Sequence, residues 1–192
     1  MRYSKTHKEE TRRKLIDSSR ALVKKNGFDA TGVDTLMSSV GLTAGAFYSH
    51  FPSKQALLEE VVREEIQHSV SMLKPQASDG SLATLGQRTK AYLSVLHAEH
   101  PEAGCVLPAL GAELGRIPPE VKSIVEDGLK EMHSVWYDEL KDENAAWAAI
   151  AQCVGAVILA RSVKSDATRR EILRANRAHI EALVQQHTPK GD

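Results

Sequence analysis

The 192-residue chain predicts an all-α fold, on three observations. Apolar residues recur at helical spacing in one stretch after another, from Leu15, Leu22 and Val23 to Ile172, Leu173, Ile180, Leu183 and Val184. Breakers separate those stretches, at Asn26-Gly27, Gly41, Pro52-Ser53, Pro101 and Ile117-Pro118-Pro119. The chain shows no β-hairpin signal, internal repeat or low-complexity segment. About nine helices are expected, divided into an N-terminal unit over 1–52 and a larger unit over 53–192.

Composition narrows the class. Hydrophobic residues make up 42%, which suits a soluble protein with a real core. The N-terminus is charged, and no fully apolar run reaches about 18 residues, so a cytoplasmic protein without a membrane span is expected. Cys105 and Cys153 are too few for a disulfide framework and lack metal-site spacing. The net charge of zero hides an asymmetry: residues 1–55 hold ten Lys/Arg against five Asp/Glu, and the remainder is acidic. A basic end on an acidic body fits a head that meets nucleic acid.

Taken in order, residues 1–5 form a basic arm with Arg2 and Lys5, and Thr6-His7-Lys8-Glu9 reads as a capping box that starts the first helix. Leu15, Ser19, Leu22 and Val23 mark its buried side. Arg12, Arg13 and Lys14 read as a solvated face with some prospect of phosphate contact. Phe28 should plug the core from the following loop, and Thr31 should cap the second helix. Val33, Leu36, Met37 and Val40 make one apolar stripe, and Gly41 sits where a helix ends in a left-handed residue. Thr43 then caps a third helix, whose Phe47 and Phe51 face inward. Its other face shows Ala44, Gly45, Ala46, Tyr48, Ser49 and His50: small in front, hydrogen-bonding behind, with nothing to block close approach to another surface. This is a helix-turn-helix pattern, in which the second helix of the pair enters a DNA major groove.

The run Gly41-Leu42-Thr43, Gly45, Phe47-Tyr48, Phe51, Ser53-Lys54 and Leu57 closely resembles the recognition helix and following helix of the TetR family of transcriptional regulators. The resemblance covers about the first quarter of the chain. It implies that Thr31, Thr43, Tyr48, His50 and Lys54 touch phosphates, that Gly45 lets the backbone come close, and that Ala44, Ala46 and Ser49 face bases. Many relatives carry a basic residue where this chain has Ala44, which leaves more to shape and thymine-methyl contact. Tyr48→Phe and Lys54→Ala should then weaken binding to all sequences, and Lys54→Ala should also reduce the salt slope.

Pro52-Ser53 starts a fourth helix that carries Leu57, Leu58, Val61, Val62 and Ile66 to about Leu73; the resemblance makes it the strut between head and body. After a polar break at 74–80, Ser81 should cap a helix through about Glu99. A short helix follows over Cys105–Arg116, then a long one from Glu120 bearing Met132, Trp136 and Leu140. Asn144 should cap the next, AAWAAIAQCVGAVILARSV, which is apolar on nearly every side and therefore calls for burial on all sides. The last helix runs from about Ala167 to Gln186. The final pair, over about 145–186, would be a hairpin that dimerises by two-fold symmetry, as TetR-like proteins do.

The resemblance also implies a pocket in the body for an unknown small-molecule effector. Candidate lining residues are Tyr92, Leu96, Cys105, Leu110, Met132, Trp136 and Trp147. Cys105 follows Gly104 at a helix start, where the dipole favours a thiolate, and Gly104-Cys105 resembles a subset of the family that senses electrophiles or oxidants. Catalysis is not expected, because nucleophile-elbow and phosphate-loop motifs are absent. Glu65-Ile66-Gln67-His68 has di-iron spacing without its second copy, and His97 and His100 lack a third ligand and read as surface residues. No cofactor or metal is expected. The resulting expectation is a homodimeric repressor released from a palindromic operator by an effector. The alternatives are redox sensing through Cys105 and a helical interaction protein that binds no DNA.

Overall fold

The computed structural model describes residues 5–74, 77–78, 81–82 and 84–187, with side chains from His7. The proposed arm at Arg2 and the cap at Thr6 lie outside the described residues and side chains. Helix α1 spans Lys5–Asn26 and ends at Gly27, whose φ of 86° sets the left-handed turn. Leu15, Ile16, Ser19 and Val23 are its buried side, and Phe28 packs beneath its end. Helix α2, Val33–Ser38, buries Leu36 and Met37 and closes through Gly41 at φ 74°.

The element after α2 differs from expectation. Ala44–Ser49 is a 3₁₀ helix of six residues rather than an α-helix. Gly45 is a poor helix former, and Pro52 follows too closely for a long run. Phe47 and Phe51 are its inward anchors, their rings 5.9 Å apart.

Helix α3, Lys54–Ser71, is capped by Ser53, whose hydroxyl accepts from Ala56 N–H. It crosses from head to body, packs against α1 on one side and buries Leu57, Leu58, Val61, Val62, Ile66 and Val70. Beyond it, Ala77–Ser78 and Ser81–Leu82 form a two-residue antiparallel ladder, a small hairpin the sequence did not announce. Ser81 therefore starts no helix. Thr84 caps α4 (Leu85–Tyr92) in a capping box with Gln87. The helix expected to reach Glu99 instead breaks at Leu93, because the Ser94 hydroxyl accepts His97 N–H and starts α5 (Val95–Glu99). A 3₁₀ turn, Pro101–Ala103, leads into α6 (Val106–Leu114).

Helix α7, Pro119–Leu140, crosses α3 so closely that a Cβ on Gly128 would stand 2.3 Å from Ile66 Cγ1. Helix α8, Glu143–Ser162, is capped by Asp142 rather than Asn144, since the Asp142 carboxylate accepts Ala145 N–H at 2.9 Å. Asp166–His187 is α9, which packs antiparallel on α8. The α8–α9 hairpin carries a polar interlock, with Gln152 donating to Asn176 and bonded to His179. Helix α8 is long and apolar enough to pass for a membrane span. Its Ala146, Ala149, Cys153, Ala156, Val157 and Ala160 face is nevertheless buried in the protein core. Apart from the two-residue ladder the described structure is all-helical.

Candidate nucleic-acid interface

The outer surface of Ala44–Ser49 carries no bulky obstruction. Tyr48 is 68% exposed, its ring edge-on to Phe47 at 5.4 Å, so the phenol is anchored at its base and points its hydroxyl outward. Thr43 and Gly45 are exposed, and Ala44 and Ala46 half-buried. The Thr43 hydroxyl caps nothing and stays available as a donor. Ser49 donates its own hydroxyl back to Ala46 O at 2.7 Å, which leaves it an acceptor toward a partner. Beside this element lies an open groove of about 550 Å³ lined by His7, Lys8, Thr11, Gly41, Leu42, Thr43, Ala46, Ser49 and His50. The first turns of α1 thus form one wall and the 3₁₀ helix the other. His7, Lys8 and Thr11 were not singled out from the sequence; the signal was Lys8, four residues before the arginines that drew attention.

His50 is half-buried, and its Nδ1 is enclosed with no hydrogen-bond partner among the described residues. Burial, then the charges of Lys8 and Arg12 and neighbouring His7, push its pKa below the ordinary histidine value. An anion seated in the groove would oppose the second of those causes.

Two expected phosphate contacts are corrected. Thr31 is 1% exposed and donates its hydroxyl to Gly27 O at 2.6 Å, so it braces the α1–α2 turn and caps no helix; the Gly32 backbone occupies the cap position. Lys54 turns inward: Nζ donates to Phe28 O at 2.7 Å and lies 4.3 Å from the Phe28 ring centroid.

The basic face of α1 is also largely committed. Arg12 pairs with Glu60, Arg13 with Asp17 and Glu64, and Arg20 with Glu64 and Glu65. Lys24 is buried against Glu65 Oε2 at 2.7 Å and also donates to Gly104 O at 3.1 Å. The arginines expected to be solvated therefore join α1 to α3. The positive charge facing the groove centres on Lys8.

In the body, Tyr92, Cys105, Met132 and Trp136 meet, with Ser69 and Cys153, around a cavity of about 10 Å³. Trp136 Nε1 is buried there with no hydrogen-bond partner among the described residues. Leu110 lines a separate cavity of about 90 Å³ under the head. Leu96 and Trp147 are corrected as interior lining: Leu96 is 71% exposed on an open cleft, and Trp147 is 44% exposed and stacks on His133.

Cys105 is 1% exposed, and burial raises its thiol pKa, which outweighs the helix start expected to lower it. Cys153 is pushed up to about 12 by burial, and the two thiols are free. His97 is no surface residue. Its Nδ1 donates to Tyr92 O at 2.6 Å and its Nε2 accepts Cys105 N–H at 3.0 Å, so both nitrogens are spent on neighbouring backbone.

Residues 15–61 match the family described as bacterial regulatory proteins, tetR family. The HTH-type transcriptional regulator YerO of Bacillus subtilis is 38% identical over 65 residues, 34% of this chain and 22% of that protein. The HTH-type transcriptional repressor KstR2 of Mycolicibacterium smegmatis is 27% identical over 132 residues, 68% of this chain and 63% of that protein. These matches span less than two thirds of either relative's own length. The crystal structure of a TetR transcriptional regulator from Chloroflexus aurantiacus has the same fold, with a TM-score of 0.73 at 21% identity over 95% of this chain and 98% of that one. The helix-turn-helix head is thus a tetR-family head over residues 15–61, carried on a helical body that has the fold of a solved TetR regulator.

Proposed function

We propose that the chain is a homodimeric repressor that binds a palindromic operator in duplex DNA and is released by a small molecule bound in the body. The observation that carries the reading is the Ala44–Ser49 element, exposed beside a groove walled by Lys8, His7 and His50. Tyr48, Thr43, Lys8 and His50 hold phosphates on either side, and the small surface of Ala44, Gly45 and Ala46 meets the base edges at close range. The repressor sign follows the printed name of KstR2. A cytoplasmic location goes with binding to the chromosome.

Dimerisation is supported by the outer face of α8, where Trp147, Ile158 and Leu159 stand exposed and a Cβ on Gly155 would meet nothing within 4 Å. That face has the helical apolar stripe of a packing surface. The effector site is the cavity at Tyr92, Cys105, Met132 and Trp136. At about 10 Å³ it holds no more than a water, so an effector enters only a rearranged body and by that preference shifts the equilibrium away from the DNA-binding form. Burial and the raised thiol pKa argue against redox sensing at Cys105.

The test is selection of bound duplexes from a random pool at low and moderate salt. A palindrome is the expected product. Recovery of no duplex at either salt would overturn the reading in favour of a helical interaction protein.

A further inference from the structure

At the α1–α2 turn the head is gripped from the body by a carboxylate. Glu113, in the last turn of α6, reaches the α1–α2 turn, where its Oε2 accepts the backbone N–H of Phe28 at 2.7 Å and lies 3.4 Å from that of Asp29. The approach is possible because the turn residue beneath it is Gly27: a Cβ there would stand 2.5 Å from Glu113 Oε1. The same turn is held from two other directions. Lys54, at the start of α3, takes Phe28 O, and Thr31, within the head, takes Gly27 O. A charged acceptor on backbone N–H groups makes a strong and directional bond.

The other end of α6 is equally tied. Val106 N–H donates to Ser69 Oγ on α3, Cys105 N–H to His97, and Lys24 of α1 donates to Gly104 O. Helix α6 is therefore a crosspiece, held at its start by α3 and His97 next to the Lys24–Gly104 contact, and at its end by the α1–α2 turn. Beside the Glu113 end lies the cavity of about 90 Å³ lined by Phe28, Gln55, Leu58, Leu110 and Ile117. Apolar packing is incomplete there, so the joint depends on the polar contact.

We propose that Glu113 is a positioning residue for DNA recognition: by clasping the α1–α2 turn it fixes the tilt of the head against the body, and it touches no DNA itself. Its bearing on recognition rests on the DNA-binding reading above; its mechanical part does not. With Glu113 present, the head has one orientation and the recognition elements of a dimer have one spacing. Without it, α6 and the head are joined at that end by loose apolar contact alone, and the head samples several tilts.

The test uses the full chain in three forms, wild type, Glu113→Gln and Glu113→Ala. Spin labels are placed at cysteines substituted for the exposed Ser38 on α2 and Ser123 on α7, and doubly labelled protein is diluted in unlabelled protein. Pulsed-resonance distances should be narrowly distributed in the wild type and at least about twice as broad in Glu113→Ala, with Glu113→Gln, which keeps an acceptor oxygen, close to wild type. The same variants are measured on duplexes with one half-site and with two half-sites at the selected spacing or one base pair longer. Glu113→Ala should hold the single half-site within about twofold, lose about tenfold on the full palindrome, and tolerate the longer spacer better than the wild type. A distance distribution in Glu113→Ala as narrow as in the wild type would overturn the proposal. So would equal losses on half and full sites, which mark general destabilisation. Wild-type protein that binds no duplex would overturn the DNA-binding reading and leave the distance result to decide the clasp.

Discussion

His97 shows how one side chain can settle a local structure. A carbonyl can only accept, so the Nδ1 facing Tyr92 O carries the proton, and Nε2 must be bare to accept Cys105 N–H. The folded state thus selects the neutral ring, and burial lowers the pKa accordingly. The unfolded chain binds a proton below about pH 6.5 while the folded chain resists it, so this contribution is intact at neutral pH and lost as the pH falls. Chemical denaturation at pH 7.5 and 5.5 should show lower stability at the acid end, with a slope of up to about 1.4 kcal/mol per pH unit from this group. His97→Gln should be less stable at pH 7.5 yet less sensitive to acid; an unchanged slope would show that another group is responsible. The sequence pointed to Cys105 and read His97 as a surface residue, whereas it is buried. His97 becomes a brace only once Ser94 has broken the helix between Tyr92 and His97, and that break was not legible from periodicity.

At the scale of elements, the ion pairs between α1 and α3 decide which basic residues can meet DNA. Arg13 lies between Asp17 and Glu64, whereas Lys8 faces the groove. Lys8→Ala should weaken binding to every duplex and lower the salt slope by about 0.9, while Arg13→Ala should leave the slope nearly unchanged. Fluorescence anisotropy across a salt series distinguishes the two. The sequence marked the head correctly because its apolar stripe and turn glycine are local features: Leu36, Met37, Phe47 and Phe51 are buried and Gly41 is left-handed, as their spacing required. It misplaced Lys54 and Thr31 because their partners, Phe28 O and Gly27 O, belong to a turn whose path is set by packing. It also missed the acidic side of α3, since Glu60, Glu64 and Glu65 acquire meaning only when α1 is laid beside them.

For the molecule as a whole, the prediction concerns α8. Its sequence suggested burial on all sides, and one face is left uncovered in the single chain, with Ile158 and Leu159 exposed. If a second copy covers that face, Ile158→Glu places an unpaired charge in the interface and should turn a dimer into a monomer by sedimentation, while helical content stays as before. A wild-type monomer would remove the dimer from the proposed mechanism. The cavity proposed for an effector was legible only in part. Tyr92, Met132 and Trp136 do converge, but a helical spacing cannot tell an inner face from an outer one near a helix end, which is how Leu96 and Trp147 were misread.

The buried Glu65 carboxylate takes Arg20 on one oxygen and Lys24 on the other, and it stands beyond Pro52 from both. A graft that joined this head to a foreign body at Pro52 would hand two cations, one of them fully enclosed, to a helix with no reason to carry their countercharge. Heads of this design are exchangeable only in units that include their acid, so a working transplant has to run through the end of α3 at Ser71, and the natural seam for recombination lies well inside what the hydrophobic pattern marks as the body.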